Sequence, residues 1–529
     1  MASSAFVLDP SVARAEWSRI STQLRLDAQT SLKDRNVHGQ FATPPSLADD
    51  IAAYALTLHD TPTVRFLEPA CGTGAFYSAL LRQCDPSRID SAIGVESDPR
   101  FADASRNLWG PLGLQVQEAD FTRWISQNRS QASLVLANPP YARHHHIPPT
   151  RKRELCARAT AHLGLHVSGL SGLYVHFLLL THQALAPGAI SAWLVPSEFM
   201  DVNYGRAIRE YLTRHVLLHR IHMFDPADVQ FADALVSSAV VFFANRSPSP
   251  HRVVEFTYGG SISCPRDRRA LLARELHPEG KWIDHFREPK TRPLRSTAVL
   301  GDYFRVQRGI ATGANKFFIL PRPEAETRGF RRDHLTPILP SPRYVDSVTI
   351  ESDAEGWPSV PRQLALLDAS VPLSVLRTID PQLATYFDTA EPALRAGYLV
   401  RQRSPWYRQE QRKPSPFMCT YMGRGNAESH PFRFILNRSR AVGTNVYLML
   451  YPTPLLQAYI DSSPKAYQRI HEALVSLTPD DLRSGGRVYG GGLHKIEPKE
   501  LMRLGAEAIS ALDPATLAPR RSKQMDLLP

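Results

Sequence analysis

The sequence has few cysteines, no long apolar run and no basic leader at its N-terminus. Its five cysteines are odd in number and scattered, and none belongs to a Cys-x-x-Cys pair. This pattern argues against a disulfide framework and a zinc site, and it fits a reducing cytosol. Because no run of about 18 apolar residues occurs either, we expect a soluble cytoplasmic protein without a membrane partner.

Acidic residues are also in short supply. The 62 lysines and arginines outnumber the 51 acids, which gives a formal charge of +11. An excess of this size favours a polyanionic partner, and nucleic acid is the first candidate. With 529 residues, the chain is too long for one hydrophobic core, so we expect two or three domains.

The rest of the chain is organised around one stretch, Leu136-Ala137-Asn138-Pro139-Pro140-Tyr141. Apolar residues before Asn138 indicate the end of a buried strand, and two prolines then force a stiff turn. An exocyclic amino group is a poor nucleophile, because its lone pair is delocalised into the π system. Asn138 and the Pro139 carbonyl can accept its two hydrogens, and Tyr141 can stack on the planar substrate. The alternative is an ordinary proline-rich strand exit.

Three earlier strands also end near polar residues. Residues 64–69 read as a strand followed by the turn Ala70-Cys71-Gly72-Thr73-Gly74, and strands at 91–95 and 114–119 lead into Glu96 and Asp120. In a doubly wound sheet all these ends face one crevice. A carboxylate at Glu96 is placed to take both ribose hydroxyls of an adenosine cofactor. For Glu96 and for Asp120, helix capping or solvent exposure is the alternative.

The glycine turn differs from that of dinucleotide enzymes. Phe76 and Tyr77 stand where those enzymes have a third glycine in the helix. The arrangement therefore suits a cofactor without phosphates, such as S-adenosyl-L-methionine. Upstream, residues 38–45 precede a predicted helix from Ser46 to Leu58, whose N-terminus could hold a carboxylate.

Two features beyond Tyr141 have open interpretations. Three adjacent histidines, His144 to His146, cannot converge on one metal in regular structure, so no metal site is predicted and a solvated or phosphate-contacting loop is expected. Phe231 is either a core residue or the second face of an aromatic clamp with Tyr141.

The C-terminal half contains a basic and aromatic stretch. Residues 395–440 hold ten lysines or arginines against two acids, interleaved with aromatic side chains. This composition suits a surface that follows a phosphate backbone, while solvated loops with buried aromatics are the alternative. The residues expected to contact DNA are Arg143, Asn315, Lys316, Arg403, Trp406, Arg408, Arg412 and Lys413.

These motifs, in this order, resemble the gamma-class N6-adenine DNA methyltransferases, the TaqI-like group of restriction-modification systems. The resemblance covers roughly residues 38–510 and includes segments around 309–316, 437–452 and 489–498. It implies a Rossmann-like class I S-adenosylmethionine-dependent methyltransferase domain, followed by a C-terminal mixed α/β DNA target-recognition domain. The expected parts are an N-terminal helical extension (1–37), the catalytic domain (38–250), a boundary (251–295), the recognition domain (296–515) and a tail (516–529).

The resemblance also implies roles for single residues. Asn138, Pro139, Pro140 and Tyr141 match the catalytic motif that handles the target amino group. Phe231 matches the aromatic residue that stacks, with Tyr141, on a flipped base. The matches to cofactor-contacting positions are Thr43, Pro44, Glu68, Ala70, Gly72, Gly74, Glu96, Asp120, Phe121 and Asn138.

The implied activity is methylation of the N6 amino group of a flipped adenine in double-stranded DNA, by a monomer whose cognate restriction endonuclease is a separate chain. Methylation of the cytosine N4 amino group uses the same chemistry, and an RNA or protein-glutamine methyltransferase could use the same turn. The long C-terminal half argues against the last two. Carbon-5 cytosine methylation is disfavoured, because it needs a thiolate and no cysteine stands in a Pro-Cys turn at the strand of Asn138.

Overall fold

A computed structural model describes residues 9–128, 130–225, 237–286, 298–424, 430–478, 481–482, 487–489 and 493–518. The chain forms two compact units, Met1–Lys290 and Thr291–Pro529. Each unit has its own buried apolar clusters, as expected of a chain of this length.

Unit 1 is built on a nine-stranded sheet in the order β3-β2-β1-β4-β5-β7-β6-β8-β9. The central strands β4 and β7 are buried along their whole length, which explains their unbroken apolar sequences. The strands are β1 (Val64–Glu68), β2 (Ile89–Glu96), β3 (Leu114–Glu118), β4 (Ala132–Ala137), β5 (Leu185–Pro196), β6 (Leu217–Met223), β7 (Ser238–Ala244), β8 (Val253–Gly260) and β9 (Pro265–Leu272).

The order of the strands creates a crevice. Strands β1 to β5 are mutually parallel, and the chain adds β2 and β3 on one side of β1 but β4 and β5 on the other. Ligands of doubly wound sheets bind beyond the carboxyl ends of the strands at such a reversal. Strand β7 is antiparallel to both β5 and β6. The predicted Rossmann-like architecture is confirmed.

The sheet extends further than the sequence suggested. We expected it to end near Asn245, with a boundary segment at 251–295, but β8 pairs in parallel with β6, and β9 pairs with β8. Strand β9 is mostly exposed and carries several arginines. Charged side chains are typical of an edge strand, where they oppose pairing with another chain. That composition made the segment resemble a linker.

Helices such as α3, α5, α8 and α9 pack against this sheet, and the predicted N-terminal helix is α1. A buried valine of α1, Val12, belongs to the main core, so the N-terminal extension packs as part of unit 1. The helices are α1 (Pro10–Ala28), α2 (Leu32–His38), α3 (Pro45–Leu58), α4 (Ala75–Gln83), α5 (Pro99–Trp109), α6 (Phe121–Trp124), α7 (Pro149–Leu163), α8 (Leu173–Thr181) and α9 (Arg206–Arg214).

Unit 2 contains three smaller sheets, in the orders β10-β18-β15-β17-β13, β11-β14-β12 and β16-β20-β19. Along β15, Phe417 and Cys419 belong to one apolar cluster and Met418 to another, so the five-stranded sheet is covered on both faces. The strands are β10 (Phe304–Arg308), β11 (Ile319–Pro321), β12 (Leu335–Ile338), β13 (Thr349–Ile350), β14 (Leu364–Leu367), β15 (Phe417–Thr420), β16 (Met422–Arg424), β17 (Phe434–Asn437), β18 (Tyr447–Pro452), β19 (Arg487–Tyr489) and β20 (Leu493–Lys495).

The helices of unit 2 are short, apart from two that pack beside the five-stranded sheet. They are α10 (Leu300–Tyr303), α11 (Asn315–Phe318), α12 (Arg322–Thr327), α13 (Leu373–Ile379), α14 (Pro381–Asp388), α15 (Pro392–Arg395), α16 (Tyr398–Arg401), α17 (Pro454–Ser462), α18 (Ala466–Val475), α19 (Pro498–Leu501) and α20 (Glu507–Ser510). Among the described residues of both units, no helix is long and apolar enough to cross a membrane.

Candidate active site

The turn after β1 brings the chain backbone to the edge of the crevice. Gly72 and Gly74 both have positive φ, 53° and 85°, which side chains with a Cβ rarely adopt. A Cβ on Gly74 would lie 2.5 Å from the Trp109 ring, whereas one on Gly72 would meet nothing within 4 Å. Gly74 is therefore required for packing, and the space beside Gly72 is open to a ligand.

Glu96, at the end of β2, is tied to this turn. Its Oε2 accepts from the Gly72 amide at 2.9 Å, and its Oε1 accepts from the amides of Ser97 (2.7 Å) and Asp98 (2.9 Å). Burial nevertheless raises the pKa of the Glu96 carboxyl. The Ser97 hydroxyl also donates to Oε1, at 3.5 Å, so the remaining capacity for a ribose hydroxyl lies on Oε2, and the expected contact with both ribose hydroxyls stays a prediction.

Glu68, at the end of β1, lies deeper. Its side chain is 2% exposed, and its Oε2 accepts from the Tyr77 amide at 3.2 Å, in the first turn of α4. Burial raises the pKa of this carboxyl well above its ordinary value, although the helix amides oppose that shift. Glu68 therefore holds the start of α4 through the Tyr77 amide.

Asn138 follows β4 and is oriented by a segment far away in the sequence. Its Nδ2 donates to the Phe41 carbonyl at 2.9 Å and to the Thr43 Oγ1 at 3.1 Å. These bonds use the two hydrogens of the amide, so Oδ1 is the atom left to accept hydrogen bonds from a substrate. This is the arrangement that the proposed chemistry needs.

The same segment, residues 39–43, lies directly on the turn of the predicted catalytic motif, residues 138–141 (the catalytic turn). The Gly39 carbonyl accepts from the Tyr141 amide at 3.0 Å, and a Cβ on Gly39 would lie within 2.4 Å of the Tyr141 and Ala142 backbones. Thr43 is buried, and Pro44 precedes α3. Sequence analysis found Thr43 and Pro44 but missed Gly39 and Phe41. A glycine at such a close backbone approach cannot be distinguished by sequence from any helix-ending glycine.

Tyr141 is anchored at both ends. Its hydroxyl donates to the Leu194 carbonyl of β5 at 3.1 Å, and its ring lies 5.9 Å from that of Phe41 at 44°. The side chain is buried, which raises the pKa of its hydroxyl. The ring of Tyr141 therefore has a fixed position, three residues after Asn138.

Asp120 and Phe121 start α6 beside the crevice. Asp120 Oδ1 accepts from the Thr122 amide at 2.8 Å, and its Oδ2 pairs with Arg151 at 2.8 Å. Both oxygens thus have partners, and Arg151 is a neighbour that the sequence did not indicate. Phe121 is buried, and its ring centroid lies 5.2 Å from that of Phe177. Asp120 combines helix capping, the alternative that the sequence left open, with an ion pair.

The residues expected to contact DNA fall into two groups. Arg143 in unit 1 and four side chains in unit 2 are exposed: Asn315, Lys316, Arg408 and Lys413. Arg412 is partly buried and faces Glu410 at 3.3 Å.

The other two have structural contacts. Arg403 donates to the carbonyls of Ala311 (2.7 Å) and Thr312 (2.8 Å), and burial lowers its pKa. Trp406 packs among the rings of Phe317, Phe318 and Phe387. Both side chains are half-buried and have partners within unit 2, and their expected contact with DNA stays a prediction.

Two further expectations concern the loop beyond Tyr141 and Phe231. His144–His146 form a single turn of 3-10 helix, and burial lowers the pKa of His144 and of His145, which favours neutral rings. Within the described ranges, no group of three or more His, Cys, Asp or Glu side chains could hold a metal ion. Phe231 lies outside the described residues, and its role stays a prediction.

Comparison with known proteins agrees with this geometry. Residues 103–230 match the Eco57I restriction-modification methylase family, and residues 281–524 match the C-terminal domain of the Type II methyltransferase M.Eco57I. The Type II methyltransferase M.AccI of Acinetobacter calcoaceticus is 24% identical, with 89% of this chain and 85% of that protein covered. M.XamI of Xanthomonas campestris pv. amaranthicola is 27% identical, with 85% and 81% covered.

Solved structures show the same fold. The Type IIL restriction-modification enzyme MmeI, in complex with DNA, has a TM-score of 0.50 at 12% identity, covering 91% of this chain and 73% of that one. The DrdV–DNA complex has a TM-score of 0.50 at 11% identity, covering 97% and 58%. The chain spans 59% of the type IIG restriction endonuclease BpuSI, with a TM-score of 0.42.

Two family matches and two relatives covered over most of their length therefore relate the chain to the methyltransferases of restriction-modification systems. They also confirm the predicted cofactor, S-adenosylmethionine. Over most of its length the chain is thus similar to the restriction-modification DNA methyltransferases.

Proposed function

We propose that this protein transfers a methyl group from S-adenosylmethionine to the N6 amino group of an adenine that has been extruded from duplex DNA. One observation carries the proposal, namely the orientation of the Asn138 amide. Its amino group is held by Phe41 and Thr43, so its carbonyl oxygen faces a substrate as an acceptor.

The chemistry follows from that orientation. An adenine amino group that donates to Asn138 Oδ1 and to the Pro139 carbonyl loses part of its conjugation with the ring, which localises the lone pair on nitrogen. The attacking nitrogen becomes acidic only after it is methylated, so no strong general base is required. The proton then passes to these acceptors or to water. Catalysis rests mainly on position and on fixed dipoles.

The crevice also fits the cofactor. When bound, S-adenosylmethionine supplies a methyl group on an activated sulfonium. The open space beside Gly72 suits its approach to the backbone, Glu96 has capacity for one ribose hydroxyl, and Phe121 offers an apolar wall. Phe76 and Tyr77, in the first turn of α4, have buried side chains, in keeping with a cofactor that lacks a pyrophosphate.

In this proposal, the extruded base stacks on Tyr141, and Phe231 stacks on the other face of the base. Extrusion of a base costs a few kcal/mol, which stacking and phosphate contacts must offset. Unit 2 would choose the sequence, with Lys316, Arg408 and Lys413 on its surface. MmeI and DrdV were both solved with DNA, which supports DNA as the substrate.

In the cell, the protein would act as a monomer in the cytoplasm and protect host DNA from a cognate restriction endonuclease made as a separate chain. The names of the relatives support a place in such a system.

The test is transfer of a labelled methyl group from S-adenosylmethionine to three substrates: duplex DNA, RNA and total cell protein. We expect label in duplex DNA alone. We also expect a duplex with 2-aminopurine at the target to brighten on binding, because the base leaves the stack. Label in RNA or protein, with none in DNA, would refute the proposed substrate.

A further inference from the structure

The N-terminal helix α1 reaches the glycine turn of the crevice. This helix precedes both family matches, which begin at residues 103 and 281. Composition and motifs gave it no chemical role. Yet its inner face contacts Thr73, the residue between the two left-handed glycines of the turn.

Thr73 is held from two sides. Its hydroxyl donates to Gln23 Oε1 at 2.8 Å and accepts from Arg19 Nη1 at 3.4 Å, both on α1. Its carbonyl accepts from Trp109 Nε1 of α5 at 2.7 Å. The residue before it, Gly72, donates its amide to Glu96. The turn is therefore fixed at its backbone and at its only side chain with a hydroxyl.

The contact from α1 is itself rigid. Arg19 is 2% exposed and makes two bonds with Glu16, at 2.6 and 2.8 Å. Glu16 also accepts from the Ser78 hydroxyl of α4 at 2.7 Å. A buried guanidinium needs such partners, and a bidentate pair fixes its plane. The helix thus connects the turn before α4 with the first turn of α4.

We propose that Arg19 and Gln23 are positioning residues for S-adenosylmethionine. They hold the Thr73 hydroxyl so that the Gly72 backbone and the Glu96 carboxylate keep the geometry that binds the cofactor. A chain without these contacts would have to order the turn at the moment of binding, which weakens affinity. The inference rests on the proposed function only in taking this crevice as the cofactor site.

The test uses the full-length protein and measures cofactor affinity directly. Thr73→Val keeps the shape of the side chain but removes the hydroxyl, and Gln23→Ala removes its acceptor. We expect either change to weaken S-adenosylmethionine binding by roughly two- to tenfold in calorimetry, the range for a lost hydrogen bond. Turnover at saturating cofactor and affinity for DNA should stay unchanged in both variants. Thr73→Ser keeps the hydroxyl and should therefore bind the cofactor as tightly as the wild type.

A second readout needs no cofactor. Hydrogen exchange of the amides of residues 72–77 should be faster in Thr73→Val than in the wild type, because the turn is less ordered. Arg25→Ala, an exposed arginine on the same helix, is the matched control and should change neither measurement.

An unchanged dissociation constant in folded Gln23→Ala and Thr73→Val would overturn the inference. So would an equal loss of cofactor and DNA affinity, which would indicate general destabilisation. If Thr73→Val fails to fold, Gln23→Ala decides alone. A wild type that binds the cofactor but leaves DNA unmethylated would refute the proposed function, and the dependence of cofactor binding on Gln23 would still be measured.

Discussion

The crevice of unit 1 and the basic stretch of unit 2 were both predicted from sequence. The side chains of the crevice lie where they were expected, whereas those of the basic stretch divide into exposed ones and ones packed within unit 2. In the crevice, Glu68, Glu96 and Asn138 lie where a doubly wound sheet must place them. In the basic stretch, Arg403 and Trp406 have packing partners, while Arg408 and Lys413 are exposed.

The difference has a physical origin. Strand ends in a parallel sheet share one edge, so the strand order alone defines the position of a polar residue at each end. A cluster of cations and rings has no such constraint, because an arginine can cap carbonyls as well as bind phosphates. Order and spacing are therefore a stronger guide to a site than composition.

The largest expected effect comes from the crevice. Replacing Asn138 by Ala removes the acceptor for the target amino group, and we expect methyl transfer to fall by about 10²- to 10³-fold, as when one preorganised hydrogen-bonding group is removed from an active site. Cofactor affinity should hardly change. The measurement is single-turnover methyl transfer together with calorimetry. Asn128→Ala is the matched control, since the Asn128 amide donates to the Trp124 carbonyl, away from the catalytic turn. Wild-type turnover in the Asn138 variant would remove that residue from the mechanism.

Glu96→Ala should act on binding instead. The carboxylate holds the Gly72 amide and has capacity for a ribose hydroxyl, and charge-assisted hydrogen bonds contribute about 1.5 to 3 kcal/mol. We therefore expect the dissociation constant for S-adenosylmethionine to rise by about one to two orders of magnitude in calorimetry. Glu118, which pairs with Glu96 in the sheet register and is exposed, gives the control variant Glu118→Ala. Equal effects in both variants would mean that Glu96 has no special role.

Much of unit 1 followed from the sequence for the same reason. The predicted strands at 64–69, 91–95 and 114–119 agree with β1, β2 and β3 to within two residues at each end. The contacts of Gly39 and Phe41 with the catalytic turn did not follow, because they join segments about 100 residues apart. Nor did the pairing of β8 and β9, because the arginines of β9, two of them exposed, hid its strand pattern.

Substitution of the exposed cations of unit 2 should change the salt dependence of DNA binding, whereas substitution of the half-buried Arg403 should change stability. Replacing Lys316, Arg408 and Lys413 together by Ala should reduce the slope of log affinity for DNA against log salt by about one unit for each phosphate that the variant no longer neutralises. Stability should stay the same. Arg403→Ala should leave the salt slope unchanged but lower the free energy of unfolding by about 2 kcal/mol, because it removes two hydrogen bonds to loop carbonyls. Equal salt slopes in the triple variant and the wild type would place the DNA surface elsewhere.

The smallest effect concerns Glu68 and pH. Burial raises the pKa of this carboxyl well above its ordinary value. The stability that it contributes is therefore full below the unfolded pKa and is lost as pH rises through the folded pKa. We measure the melting temperatures of Glu68→Gln and the wild type, both without cofactor. We expect the melting temperature of the wild type to fall relative to that of the variant as the pH rises from 5 to 8. A difference that does not change with pH would show that the folded carboxyl titrates normally.

The most direct test of the central claim is the identity of the modified base. The wild type and Asn138→Ala would be expressed in a host without DNA methylation, and digested genomic DNA analysed by mass spectrometry, with long-read sequencing to locate the sites. The account predicts N6-methyladenine at one recurring sequence with the wild type and a much smaller modified fraction of the same sites with the variant. N4-methylcytosine alone would contradict the adenine assignment, and modification by the variant to the same extent as by the wild type would contradict the proposed role of Asn138.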